Sequence, residues 1–173
     1  KQTHSKTNRN TRKSIQINKM IKDIPKKLNA AKSPVFALSQ KYDILIGIDP
    51  GTNTGFAMLH VSNGILGFVG SVMIHQAFAI IEGYRETGMK IKVYIEDSRN
   101  VSRAFGGAAK AQGAGSIKRD CNIWEDYLID SGIDYQFIRP GKRSNLKMES
   151  SAFAKLTGWK GRTNSHGRDA AML

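Results

Sequence analysis

Two apolar runs that each end in carboxylates constrain this chain more than any other feature. Asp43–Asp49 (DILIGID) and Lys90–Asp97 (KIKVYIED) have the character of strands buried in a core. Gly55–Val61 and Ile65–Ile74 read as two further strands, joined at the hairpin signal Ser62-Asn63-Gly64. Ala77–Thr87 reads as a short helix ended by Gly88. Ala108–Ser131 reads as a long helix with Ile117, Cys121, Trp124 and Leu128 as its core stripe. Asp134–Arg139 is a fifth strand closed by Pro140-Gly141, Asn145–Thr157 is expected to be helical, and Ser165 is the expected N-cap of a last helix. Three meandering strands followed by alternating helices and strands, in the order βββαβαβαα, predict an α/β fold with a mixed five-stranded sheet flanked by helices.

A length of 173 residues suits one domain with a single core, and 40% hydrophobic content fits a packed globule. No run of 18 apolar residues is present, so no membrane span is expected. The single cysteine, Cys121, excludes an internal disulfide and a cysteine-only metal site, and fits a reducing compartment. The net charge of +13 points to a polyanionic partner, of which nucleic acid is the commonest. That charge is uneven: residues 1–40 hold ten Lys/Arg against one acid, whereas residues 41–173 hold 17 against 13. Residues 1–40 are therefore read as a basic N-terminal extension, and 41–173 as the folded domain. The extension is partly helical through Ile17, Met20, Ile21, Ile24 and Leu28, with Pro25 interrupting it and Lys32-Ser33-Pro34 as a linker. A solubilising or targeting tail and a DNA-contacting arm fit it equally.

Three clusters carry potential chemistry. In Ile46-Gly47-Ile48-Asp49-Pro50-Gly51-Thr52-Asn53-Thr54-Gly55 a buried strand delivers one carboxylate into a glycine-rich turn. Gly51 and Gly55 there permit close backbone approach to a ligand or a positive φ. The plainer reading is a strand–turn–strand capped by Asp49. In Val93-Tyr94-Ile95-Glu96-Asp97 a second core strand ends in two acids, which must point to opposite faces of the sheet, and periodicity leaves open which of them faces a site. In Ser165-His166-Gly167-Arg168-Asp169-Ala170-Ala171 the His and Asp are three residues apart and share a helix face, while the alanine pair lets that helix lie close to the sheet. A cap or surface role for His166 and a first-turn role for Asp169 are the plainer readings. If the acids converge, two carboxylates about 4 Å apart repel by roughly 4 kcal/mol at an effective dielectric of 20. A divalent cation offsets that repulsion, and oxygen ligation with one imidazole suits Mg²⁺ or Mn²⁺.

The strings IGIDPGTNTGFA, VYIED and SHGRDAAML, taken together, resemble the RuvC-type Holliday junction resolvases of the ribonuclease H-like superfamily, most nearly their phage-like branch. The resemblance covers about residues 43–173. It implies a ribonuclease H-like fold and a catalytic, metal-binding set of Asp49, Glu96, His166 and Asp169, and it selects Glu96 over Asp97. It also implies hydrolysis of a DNA phosphodiester with two ions per site, about 3.5–4 Å apart. Asp49 would bridge both ions, Glu96 and Asp169 would hold one each, and His166 would be a ligand or orient the attacking water. The family carries an aromatic close after the second acid. Here the nearest is Phe105, nine residues beyond Glu96, which is either a junction wedge or a loop anchor.

Basic side chains around such a site are expected to contact DNA: Arg99, Arg103, Lys110, Lys118, Arg119, Lys142, Arg143, Lys147 and Arg168. Two symmetric cuts in a four-way junction imply a homodimer, for which Ala111, Gly113, Ala114 and Gly115 offer close helix approach. The same small residues would equally serve packing on the chain's own sheet. The expected setting is the cytoplasm of a bacterial or phage-infected cell, with an organelle as the alternative. Rival readings are a YqgF-like structure-selective RNase on the same fold and a non-catalytic DNA-binding module. An actin-like kinase, hinted at by the glycine-rich turn after Asp49, would need a second lobe for which 173 residues leave no room.

Overall fold

The computed structural model describes residues 41–99, 107–140 and 148–173, and only the backbone of 107–114. The basic extension, Arg103, Phe105, Lys142, Arg143 and Lys147 lie outside the described residues, as does the Lys110 side chain.

The elements follow the expected order: β1 (Ile44–Asp49), β2 (Thr54–His60), β3 (Ile65–Val72), α1 (Ile74–Glu86), β4 (Ile91–Glu96), α2 (Gly107–Asp130), β5 (Asp134–Ile138), α3 (Ser150–Thr157) and α4 (Ser165–Ala171). They form one five-stranded sheet in the order β3-β2-β1-β4-β5. β1–β2 and β2–β3 are antiparallel, while β1–β4 and β4–β5 are parallel, so the sheet is mixed. The hairpin between β2 and β3 turns at Gly64, whose φ of 66° suits glycine, and Asn63 Oδ1 accepts from the Ile65 N–H at 2.9 Å.

The pleat divides the apolar residues between two layers. Ile44, Ile46, Ile48, Val93 and Ile95 face one side and are packed with Phe56 and Met58 under α1 and α2 through Ala77, Ile81, Tyr84, Trp124 and Leu128. Cys121 belongs to the same buried stripe and burial pushes its thiol up, whereas Ile117 is only half-buried. On the opposite face Ala57 and Val69 pack with Phe153 of α3 and Ala170 of α4. Gly132, with φ 64°, turns the chain from α2 into β5 as Ile133 N–H donates to Leu128 O at 3.0 Å.

Local polar bonds set the ends of helices where sequence periodicity places them elsewhere. α1 begins at Ile74, not Ala77, because Met73 O accepts from the Gln76 and Ala77 N–H groups while Gln76 Oε1 accepts from Met73 N–H at 3.0 Å. That removes Ile74 from β3. Of the helix expected over 145–157, Ser150–Thr157 forms α3 with Met148 and Glu149 outside it, and 145–147 lie outside the described residues. The N-cap of α4 is Asn164, not Ser165, since Asn164 Oδ1 accepts the Gly167 N–H at 2.8 Å.

Candidate metal centre

Register places the two strand-end acids side by side. Ile48 pairs with Ile95 in the parallel β1–β4 ladder, so Asp49 and Glu96 are the next step on adjoining strands. Asp49 shares its face with Leu45 and Gly47, and Glu96 with Lys92 and Tyr94. Since Gly47 pairs with Tyr94, both acids project to the side covered by α4. Asp97 points the other way. Its carboxylate accepts from Arg99 Nε at 2.9 Å, and this guanidinium holds it below the usual carboxylate range.

Close backbone packing brings α4 to this edge. A Cβ on Gly47 would lie 1.9 Å from Ala170 O, and one on Gly55 2.2 Å from His166 O. A Cβ on Gly167 would in turn meet Gly70 N at 2.5 Å. Gly55 therefore admits the chain's own helix, rather than a ligand or a positive φ. An isolated glycine inside a strand, as at Gly47, is the sequence signal of such an approach.

The helix thus set down presents His166 and Asp169 to the end of β1. Asp49, His166 and Asp169 each offer one ligand atom, and these atoms all lie within 4.8 Å of one another. His166 Nδ1 is 2.8 Å from Asp49 Oδ2, with the imidazole about half exposed and the carboxylate largely covered. Glu96 is on the same face but is not among those three. Two carboxylates and an imidazole suit one hard dication: metal–ligand bonds of about 2.1 Å put donors up to about 4.2 Å apart, so small side-chain rotations would let all three reach one ion, with water filling the rest of its shell. Soft thiolates are absent from the trio, which favours Mg²⁺ or Mn²⁺ chemistry over a thiolate metal.

The basic residues expected around the site divide into two groups. Lys118 and Arg119 are exposed on α2, with Arg119 3.4 Å from Asp120. Arg99 and Arg168 are instead engaged within the protein. Arg99 bonds Asp97 and Glu125 and lies 4.1 Å over the Phe137 ring, ion pairs that raise its own pKa. Arg168 donates to Met148 O at 2.7 Å and Thr163 Oγ1 at 3.0 Å, tying α4 to the segment before α3 and to the loop before α4. Glu125 and Asn164 are the residues that sequence reasoning missed. Glu125 is one of several acids on α2, and only its place across from the β4 end sets it apart.

The sheet order, the helical layers on both faces and the acids at the ends of two central strands define a ribonuclease H-like fold. A solved structure of T. thermophilus RuvC in complex with Holliday junction substrate is similar to this chain, with a TM-score of 0.50 and 14% sequence identity over 73% of this chain and 87% of that one. No family model matches the sequence, and no curated protein matches it. Among the described residues no helix is long and apolar enough to cross a membrane.

Proposed function

We propose that this chain is a Mg²⁺- or Mn²⁺-dependent endonuclease that cuts branched DNA, resolving four-way junctions as a homodimer. The observation that carries this reading is the convergence of Asp49, His166 and Asp169 at the end of the central strand of a RuvC-like fold. The junction bound in the T. thermophilus RuvC structure and the net charge of +13 support branched nucleic acid as the partner. The phage-like branch rests on the sequence strings alone.

Asp49, on the central strand, would touch both of two ions. Asp169 would hold one, and Glu96, its neighbour on β4, the other. Bound there, the metal would lower the pKa of an attacking water and offset charge on the leaving oxygen. His166, bonded to Asp49 and half exposed, would ligate a metal or orient that water by hydrogen bonding. Isologous pairing of two copies would supply the two symmetric cuts. Such an enzyme would work where branched DNA forms, in the cytoplasm of a bacterial or phage-infected cell or in an organelle.

The test is incubation of the purified chain with a synthetic four-way junction, a matched duplex and a hairpin RNA, with and without Mg²⁺. Paired nicks in the junction alone, only with metal, are expected. Cutting of the RNA in preference to the junction would replace this reading with the RNase one, and binding without any cutting would leave a DNA-binding module.

A further inference from the structure

The stretch from Ser150 to Arg168, which runs into the candidate site, contains Lys155, Lys160, Arg162 and Arg168 and no acid. Its loop between α3 and α4 is firmly built. Gly158 caps α3 with φ 72°, and the Trp159 N–H donates to Thr157 Oγ1 at 3.2 Å. Trp159 packs on the Phe153–Ala170 core, and Gly161 lies so close over the indole that a Cβ there would sit 3.0 Å from it. Thr163 is held by Arg168, and Asn164 caps α4. On this frame Lys160 and Arg162 are exposed, and neither forms an ion pair among the described residues. Arg168, also close in sequence to the site residues, is already engaged with Met148 and Thr163.

We infer that the loop from Gly158 to Asn164 is a phosphate-binding lip, on which Lys160 and Arg162 grip the sugar–phosphate backbone of the nucleic-acid strand entering the Asp49–His166–Asp169 site. Arg162 precedes His166 by four residues, so their Cα atoms are at most about 14 Å apart, a span of a few phosphates. Two unpaired cations on a rigid loop beside clustered acids match a substrate that must bring its own negative charge up to bound metal. Because these contacts are to the backbone, they add affinity without choosing sequence. This inference rests on the nuclease reading of the same site.

The test is a fluorescence-anisotropy titration of a labelled four-way junction and a matched duplex across a range of NaCl. The Asp49→Asn chain is compared with the same chain also carrying Lys160→Ala and Arg162→Ala. Two lost phosphate contacts predict a log K against log salt slope shallower by about 2, and a Kd raised about tenfold at moderate salt, for both DNAs. The thermal midpoint is expected to be unchanged, because both side chains are exposed. Single Lys160→Gln and Arg162→Gln variants, each expected to flatten the slope by about 1, keep the result readable if the double variant loses stability. An unchanged slope with intact binding overturns the lip and leaves the nuclease reading standing. Failure of the Asp49→Asn parent to bind either DNA overturns both.

Discussion

Replacing Gly47 with Ala puts the close seating of α4 to a direct test. The new methyl carbon would begin 1.9 Å from Ala170 O and 2.8 Å from Ala170 C, both backbone atoms that no side-chain rotation can move. Reaching an ordinary contact of at least 3.4 Å requires the helix to retreat by about 1.5 Å, or β1 to buckle by as much. Overpacking of this kind costs about 1–3 kcal/mol. The helix that retreats carries His166 and Asp169, so ligand atoms now within 4.8 Å of Asp49 would be drawn apart. A misplacement of about 1 Å in a catalytic group costs on the order of 100-fold in rate. Urea denaturation is therefore expected to show a loss of about 1–3 kcal/mol, and cleavage of a four-way junction to fall about 100-fold with a higher Mg²⁺ requirement. Gly47→Ala protein that cuts at the wild-type rate and Mg²⁺ dependence would refute the proposed link between helix seating and metal affinity.

Asp49→Asn is expected to abolish cleavage while keeping or tightening junction binding, as read by gel cleavage and anisotropy, because one negative charge leaves the DNA-facing edge. Retained cutting under Mg²⁺ would reject the role assigned to Asp49. Arg99→Ala removes the partner of both Asp97 and Glu125 and the cover over Phe137, and is expected to lower stability by about 1–3 kcal/mol in urea, with little change in the salt dependence of DNA binding. Lys92, then Tyr42, hold the Asp134 carboxyl down to about 2, with Lys41 adding to the effect. The folded pKa lies below the unfolded one, so this stabilisation is complete above about pH 4 and is lost as pH falls toward the folded value. The site is partly exposed, so Asp134→Asn should cost no more than about 1 kcal/mol at neutral pH. Its denaturation curve should converge with that of the wild type in acid.

Most of the fold is legible in the sequence because the signal is long. DILIG and KIKVYI are apolar over a full strand, and Trp124, Cys121 and Leu128 recur at helical spacing, so burial alone decides those elements. The boundaries that differ are those set by single polar bonds: Gln76 to Met73 at α1, and Asn164 to Gly167 at α4. A side chain that competes for one backbone N–H leaves no periodic trace. The choice between Glu96 and Asp97 is of another kind. Periodicity leaves it open and the resemblance alone favours Glu96; the Ile48–Ile95 pairing then sets the phase of the pleat that puts Glu96 on the same side as Asp49. Arg99 reads as a surface cation because its partners Glu125 and Phe137 lie far along the chain and meet it only after α2 and β5 fold back. Lys160 and Arg162 escape notice for the converse reason. Nothing distinguishes them in sequence from other exposed basic residues until Trp159 and Arg168 are found to fix their loop against the site.

The cation cage itself can be observed without any substrate. Crystals of the full chain soaked in millimolar Mn²⁺ and measured near the manganese edge should give an anomalous difference peak bounded by Asp49, His166 and Asp169, on the side where Glu96 projects. The peak should vanish in the Asp49→Asn chain. Well-ordered side chains with no peak between them, or manganese bound only elsewhere, would contradict the metal centre and the nuclease reading built on it.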